Sequence, residues 1–170
     1  MTFSLYLASK QGVLTAQVNG RAFDISGQSL VDHHATCLSA RAGVLLVGTE
    51  DGLFRSADGG ENWAASDTGL HQRHLRWLAH HPDDPALVFA GTEPAALFVS
   101  TDGGETWQEK PEVAALRDKH EWWLPYSPEA GCVRGFAFHG DRAYAAVEVG
   151  GLLRSDDRGD SWRLAPGSNG

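Results

Sequence analysis

Apolar residues along the chain come in short runs rich in Val, Leu, Phe and Ala, each closed off by Gly, Pro or Asp. That is the pattern of short β-strands. One set of runs is Thr36–Ala40, Val44–Thr49, Leu53–Ser56 and Trp63–Ser66. A second is Leu75–His80, Leu87–Thr92, Leu97–Ser100 and Trp107–Glu109, and a third is Val133–Phe138, Arg142–Val147, Leu152–Ser155 and Trp162–Leu164. No helical apolar period stands out, so the pattern predicts an all-β fold.

The sets repeat one another in detail. Each ends on the same box, Ser-x-Asp-x-Gly-x-x-Trp: Ser56, Asp58, Gly60 and Trp63; Ser100, Asp102, Gly104 and Trp107; Ser155, Asp157, Gly159 and Trp162. The likeness runs upstream, where Gly48-Thr-Glu50, Gly91-Thr-Glu93 and Ala146-Val-Glu148 align, as do Leu75-Arg76 and Val133-Arg134. A degraded copy opens the chain: Leu5 to Ala16 lies without gaps over Leu45 to Ser56, and an Asn19-Gly20 hairpin turn replaces its box. Asp58 and Asp102 are 44 residues apart, Asp102 and Asp157 55, with the extra residues falling between Glu109 and Cys132. Units of this size with four short strands each are β-propeller blades. The expected repeats are about 2–31, 32–68, 69–110 and 131–166, with an inserted connector at 111–130, in a single domain.

The three boxes resemble the Asp-box, or BNR, repeat of sialidases, sortilin-type receptors, xyloglucan-hydrolysing glycosidases and a photosystem II assembly factor. The chain as a whole most resembles bacterial WD40/YVTN/BNR-like repeat proteins. The resemblance implies propeller blades with the boxes at the periphery, away from the channel. It implies little about function, since such rings host both hydrolases and binding scaffolds. Relatives of this look generally run about twice as long, so the chain corresponds to roughly half a ring: three blades plus three strands of another. A fragment of a longer chain, a split protein with a second chain, and self-association of two halves would each account for that.

The box itself reads as structural. Its Asp is expected to accept a backbone N–H two residues on, its Gly to supply φ > 0, and its Trp to cover the turn. Calcium is not expected at Asp156-Asp157-Arg158-Gly159-Asp160, whose order departs from the EF-hand loop. The histidine doublets lack a zinc-ligand companion such as His-Glu-x-x-His or Cys-x-x-Cys, so neither metal nor cofactor is expected.

Composition narrows the partners. The 170 residues allow one ordinary domain. Fourteen Lys and Arg against 22 Asp and Glu give a net charge of −8, which lacks the basic footprint of a nucleic-acid or anionic-membrane binder. No spanning apolar run and no signal peptide are visible, and two cysteines make no disulfide framework, so a reducing, cytoplasmic setting is expected.

Strand order sends the second-to-third turns and the blade connectors to the face opposite the boxes. That face is expected to hold Glu50, Glu93, Glu148, Arg76, Arg134, His71 and His74, with Trp122, Trp123 and Tyr126 from the inserted connector. The plainest role for the glutamates is pairing with an arginine of the next blade. The adjacent tryptophans suit either a rim for sugar or protein contact or a hydrophobic plug. Sialidase activity is not expected of this chain alone, because the Arg-Ile-Pro segment of that family is absent and Tyr6 and Tyr144 sit in second strands. A glycoside hydrolase needs two carboxyls about 5–10 Å apart, and Glu93 and Glu148 are the candidates. The leading expectation is a non-catalytic scaffold binding a protein or carbohydrate, with a second copy or a second half-propeller chain as partner.

Overall fold

A computed structural model describes residues 2–123 and 131–168. It contains four antiparallel sheets. The first has three strands, β1 (Thr2–Ser9), β2 (Gly12–Asn19) and β3 (Ala22–Ser29). The second is β4 (Ala35–Arg41), β5 (Val44–Thr49), β6 (Leu53–Ser56) and β7 (Ala64–Ala65). The third is β8 (Leu75–His81), β9 (Asp84–Thr92), β10 (Leu97–Ser100) and β11 (Gln108–Glu109). A helix, α1 (Pro111–Lys119), then precedes β12 (Val133–His139), β13 (Arg142–Val147), β14 (Gly151–Ser155) and β15 (Arg163–Leu164). Strands pair in sequence order within every sheet, and β4, β8 and β12 line up as neighbours, one per blade.

The helix is a local departure from the strand-only expectation. Pro111 sits at its first turn with Glu112, and Arg117 and Lys119 occupy its last, which suits the backbone dipole at both ends. It buries only Val113, so its apolar period is too faint for periodicity to reveal, whereas its end signals are plain.

Three apolar clusters mark the three blade-to-blade contacts. Val13, Ala35 and Val47 join the first two sheets; Leu46, Leu75, Phe98 and Trp107 the second and third; Phe89, Val133, Leu153 and Trp162 the third and fourth. One contact recurs in each. The second-strand residue four positions before the shared Glu site of one blade packs on the box glycine of the next. Leu46 meets Gly104, Phe89 meets Gly159, and Tyr6 meets Gly60 while donating its hydroxyl to the Gly59 carbonyl at 2.8 Å. A Cβ on Gly159 would stand 2.3 Å from Phe89 Cε1, and its φ of +91° is itself a glycine conformation. The box glycine therefore shapes the turn and leaves the space that the preceding blade fills.

The box bonding is nearly identical in the three copies. Each Ser Oγ donates to its Asp Oδ1 at 2.7 Å and accepts the box glycine N–H at 2.8 Å. The Asp does not take the N–H two residues on. It accepts from the residue four on, Asn62, Thr106 or Ser161, through both backbone and side chain. Consecutive positive φ values, at Gly59 and Gly60, Gly103 and Gly104, Arg158 and Gly159, curl the loop far enough for that longer reach.

These bonds hold the box carboxyls down. Asp58 and Asp157 fall to about 2 because Asn62 and Ser161 donate to them, with Ser56 and Ser155 adding to the effect. Asp102 also falls to about 2, its slight burial being outweighed by Thr106 and Ser100. A carboxyl depressed on folding stabilises the native state above the unfolded pKa of about 3.9, and that contribution disappears as pH falls through the folded value. Acid unfolding should therefore steepen between about pH 4 and pH 2. The triple Asp→Asn variant, followed by circular dichroism, should be less stable at pH 7 and much less sensitive across that window. An unchanged acid slope would refute the assignment.

Candidate functional site

The hairpin ends opposite the boxes gather around one cavity of about 460 Å³. Lys10, His34, Glu50, Arg76, Trp77 and Arg134 line it with Ala8, Ser9, Ala35 and Thr36. The residues arrive there through a repeated backbone irregularity. In β4, β8 and β12 the register against the second strand slips by one, between Ala35 and Cys37, Leu75 and Trp77, and Val133 and Gly135. The extra residues are Thr36, Arg76 and Arg134. A bulge re-aims a side chain, and here it sends the arginines toward the glutamate that follows the second strand.

The glutamates pair within their own blades, which corrects the cross-blade expectation. Arg76 Nε lies 3.4 Å from Glu93 Oε2, and Arg134 Nη2 lies 2.7 Å from Glu148 Oε2. In the second blade the bulge residue is Thr36, and Glu50 Oε1 instead meets His34 Nδ1 at 2.9 Å. The reason is the hairpin geometry: bulge and glutamate leave the same end of the same strand pair. A backbone bond fixes each glutamate as well, from Glu50 to the His34 carbonyl, Glu93 to His74 and Glu148 to Cys132. Partly exposed pairs of this kind contribute about 0–1 kcal/mol each, so their chief effect is to fix side-chain direction.

Glu148 receives a further donor, the Cys132 thiol at 3.2 Å. That bond, and then the Arg134 guanidinium, hold the carboxyl below its ordinary value against the opposing effect of partial burial. A glycosidase acid needs the reverse shift. The thiols are not poised nucleophiles, since burial pushes Cys37 up to about 12 and, with the Glu148 bond, Cys132 up to about 11. Among the described residues no group of three or more His, Cys, Asp or Glu is placed to hold a metal ion.

The remaining candidates separate. His71 bonds Glu109 on β11 at 3.0 Å, which takes it toward the outer strands. His74 stays in the inner set, its carbonyl bound to Glu93 and its Nε2 buried without a partner among the described residues. Trp122 is 2% exposed inside the cluster joining the third and fourth blades, so it cannot form a rim as it stands; the plug is its place. Trp123 is 46% exposed. Tyr126 lies outside the described residues. Sequence reasoning passed over Lys10, although the gapless alignment sets it over Glu50, and Trp77, which adjoins Arg76 and is 44% exposed.

Sheets of four strands stacked side by side, each stapled at its outer turn by a Ser-x-Asp-x-Gly-x-x-Trp box, make up a partial β-propeller. Residues 98–109 match the BNR/Asp-box repeat. Vacuolar protein sorting/targeting protein 10 of Aspergillus clavatus is 32% identical over 66 residues, which are 38% of this chain and 4% of that protein. Photosystem II assembly protein Ycf48 of Thermosynechococcus vestitus is 29% identical over 82 residues, 48% of this chain and 24% of that protein. These matches thus involve no more than about a quarter of either relative's length. An ancestral GH74 enzyme superposes with a TM-score of 0.69 at 19% identity, over 96% of this chain and 22% of its own. Ycf48 bound to a D1 peptide superposes with a TM-score of 0.53 at 14% identity, over 94% of this chain and 77% of its own. At these identities the likeness is one of fold.

Proposed function

We propose that the chain is a non-catalytic binding scaffold that engages a protein or carbohydrate segment on the face opposite its Asp-boxes. One observation carries the reading: each glutamate of that face is tied to a basic group of its own blade, while Lys10, Trp77, Arg76 and Arg134 line an open cavity. A rigid set of ion pairs beside an exposed indole suits recognition, because little side-chain freedom is left to lose on binding. The solved relative that holds a peptide is in keeping with a protein ligand.

The test is titration with immobilised peptide arrays and with xyloglucan oligosaccharides. One class should bind saturably, and Arg76→Ala with Arg134→Ala should weaken it about tenfold at unchanged melting temperature. Binding indifferent to both arginines would refute the reading. The alternative is a glycoside hydrolase whose site needs the complete ring. Release of reducing ends from xyloglucan that vanishes in Glu148→Ala would replace the scaffold with that enzyme.

The same proposal includes a reducing, cytoplasmic setting and a partner that covers the open blade faces, either a second copy or a second half-propeller chain. The outer side of the first sheet leaves Phe3, Leu5, Leu7, Phe23 and Ile25 between 38% and 63% exposed. A contiguous apolar patch of that kind is the mark of an interface.

A further inference from the structure

A second cavity, of about 490 Å³, opens on the box face at the seam between the third and fourth blades. At the equivalent place between the second and third blades stands a guanidinium. Arg55 Nε donates to the Gly103 carbonyl at 3.0 Å, and its Nη2 lies 3.3 Å from Glu105 Oε1. Beside it the Ser66 hydroxyl donates to the Gly104 carbonyl. One repeat further on, Val99 stands at the position of Arg55 and Lys110 at that of Ser66. The cation of the seam therefore comes from a different residue: Lys110 Nζ reaches Asp160, the counterpart of Glu105, at 3.1 Å. The shorter Val99 leaves the space of the guanidinium open, and it lines the cavity. A further exchange accompanies these two. Arg158 replaces the glycine that the other boxes have at Gly59 and Gly103, and it keeps a φ of +61°, which is costly for a residue with a side chain. Its Nη2 crosses the seam to Asp84 Oδ2 at 2.9 Å.

We propose that this cavity binds one neutral sugar ring, its hydroxyls held between Lys110, Asp160 and Gln108. The charges around it are already matched. Lys110 faces Asp160 and Arg158 faces Asp84, while the Asp157 carboxylate is taken up by Ser155 and Ser161. A ligand with net charge would set one of these pairs out of balance. A hydroxyl does not, because it donates to a carboxylate and accepts from an ammonium at once. The Lys110 side chain is only 7% exposed and has one acceptor among the described residues, so two of its three donors remain for a ligand. Thr101 and Gln108 add a hydroxyl and an amide to the wall, and Leu87, Val99 and Trp107 an apolar surface for the C–H face of a ring. The volume lies within the range of about 300–1,000 Å³ usual for small-molecule sites.

This site lies on the box face and does not depend on what the arginine-lined face binds. The test is saturation-transfer NMR on the intact 170-residue protein, with D-glucose, D-galactose, D-mannose and D-xylose and their methyl glycosides as probes. At least one should bind saturably, and D-glucuronate and D-glucosamine should bind about tenfold more weakly. Preference for the glycosides assigns the ring to the end of a glycan, preference for the free sugars to a free sugar, and either supports the site. Val99→Arg combined with Lys110→Ser copies the filled seam next door and should abolish binding at unchanged melting temperature. Gln108 is exposed, so Gln108→Ala tests the site without risk to folding and should weaken binding about tenfold. Arg76→Ala with Arg134→Ala should leave the affinity as it is, which separates this site from the other face. Binding of no neutral probe, equal binding of the charged sugars, or binding that survives the paired exchange or Gln108→Ala would overturn the proposal.

Discussion

Phe89→Ala should destabilise the protein by about 4 kcal/mol, the cost of emptying a well-packed aromatic site. Phe89 is fully buried on β9, its ring 5.1 Å from Phe138, 5.6 Å from Phe136 and 6.2 Å from Trp162. The three partners belong to the next blade, so the substitution loosens the contact between blades rather than one sheet. Gly159→Ala acts on the same contact from the other side. Its methyl would enter the Phe89 ring and would strain a backbone at φ +91°, for about 3 kcal/mol in total. Combining the two should cost clearly less than their sum, because Phe89→Ala vacates the space that the new methyl needs. Urea unfolding of the single and double variants checks this, with Gly20→Ala as control: Gly20 has φ +63° but nothing within 4 Å of the added methyl. Strict additivity would mean that the two residues do not share one joint.

The same joint shows why the architecture was legible and its seams less so. Val44–Thr49, Leu53–Ser56, Leu97–Ser100 and Arg142–Val147 lie where their apolar runs and flanking turn residues predict. Those strands are set by local pattern, repeated often enough to cancel noise. The box was legible at its Ser, Asp, Gly and Trp, yet its bonding was not. Asn62, Thr106 and Ser161 complete the carboxylate's shell, and the sequence signal was there: a small polar residue before each Trp. The ion pairs went to the wrong blade for a different reason. Whether Arg76 meets Glu93 of its own blade depends on a one-residue bulge, and a bulge leaves no mark in an apolar pattern. Lys10 was visible only as a departure within an alignment, and its place in the cavity lining depends on the fold.

The two adjacent tryptophans of the connector differ in burial, Trp122 being 2% and Trp123 46% exposed. Trp122→Ala should destabilise by about 4 kcal/mol, whereas Trp123→Ala should stay within about 0.5 kcal/mol. Trp122 follows α1, its N–H bound to the Arg117 carbonyl, and its ring lies against Gly150, where a Cβ would come within 2.7 Å of it. It packs with Val113 of α1 and Val147 of β13 in one cluster, so it ties the helix to the seam between the third and fourth blades. Losing it should therefore free the helix as well as lower global stability. Amide exchange over Val113–Lys119 should accelerate in Trp122→Ala by more than the global change requires, and remain as before in Trp123→Ala. Under the proposed binding role, Trp123, with its ring in solvent, is the indole of the pair left for a ligand, and its replacement should register in binding rather than in unfolding. Equal destabilisation by the two substitutions would mean that the connector has no plug and that both rings share one exposed role.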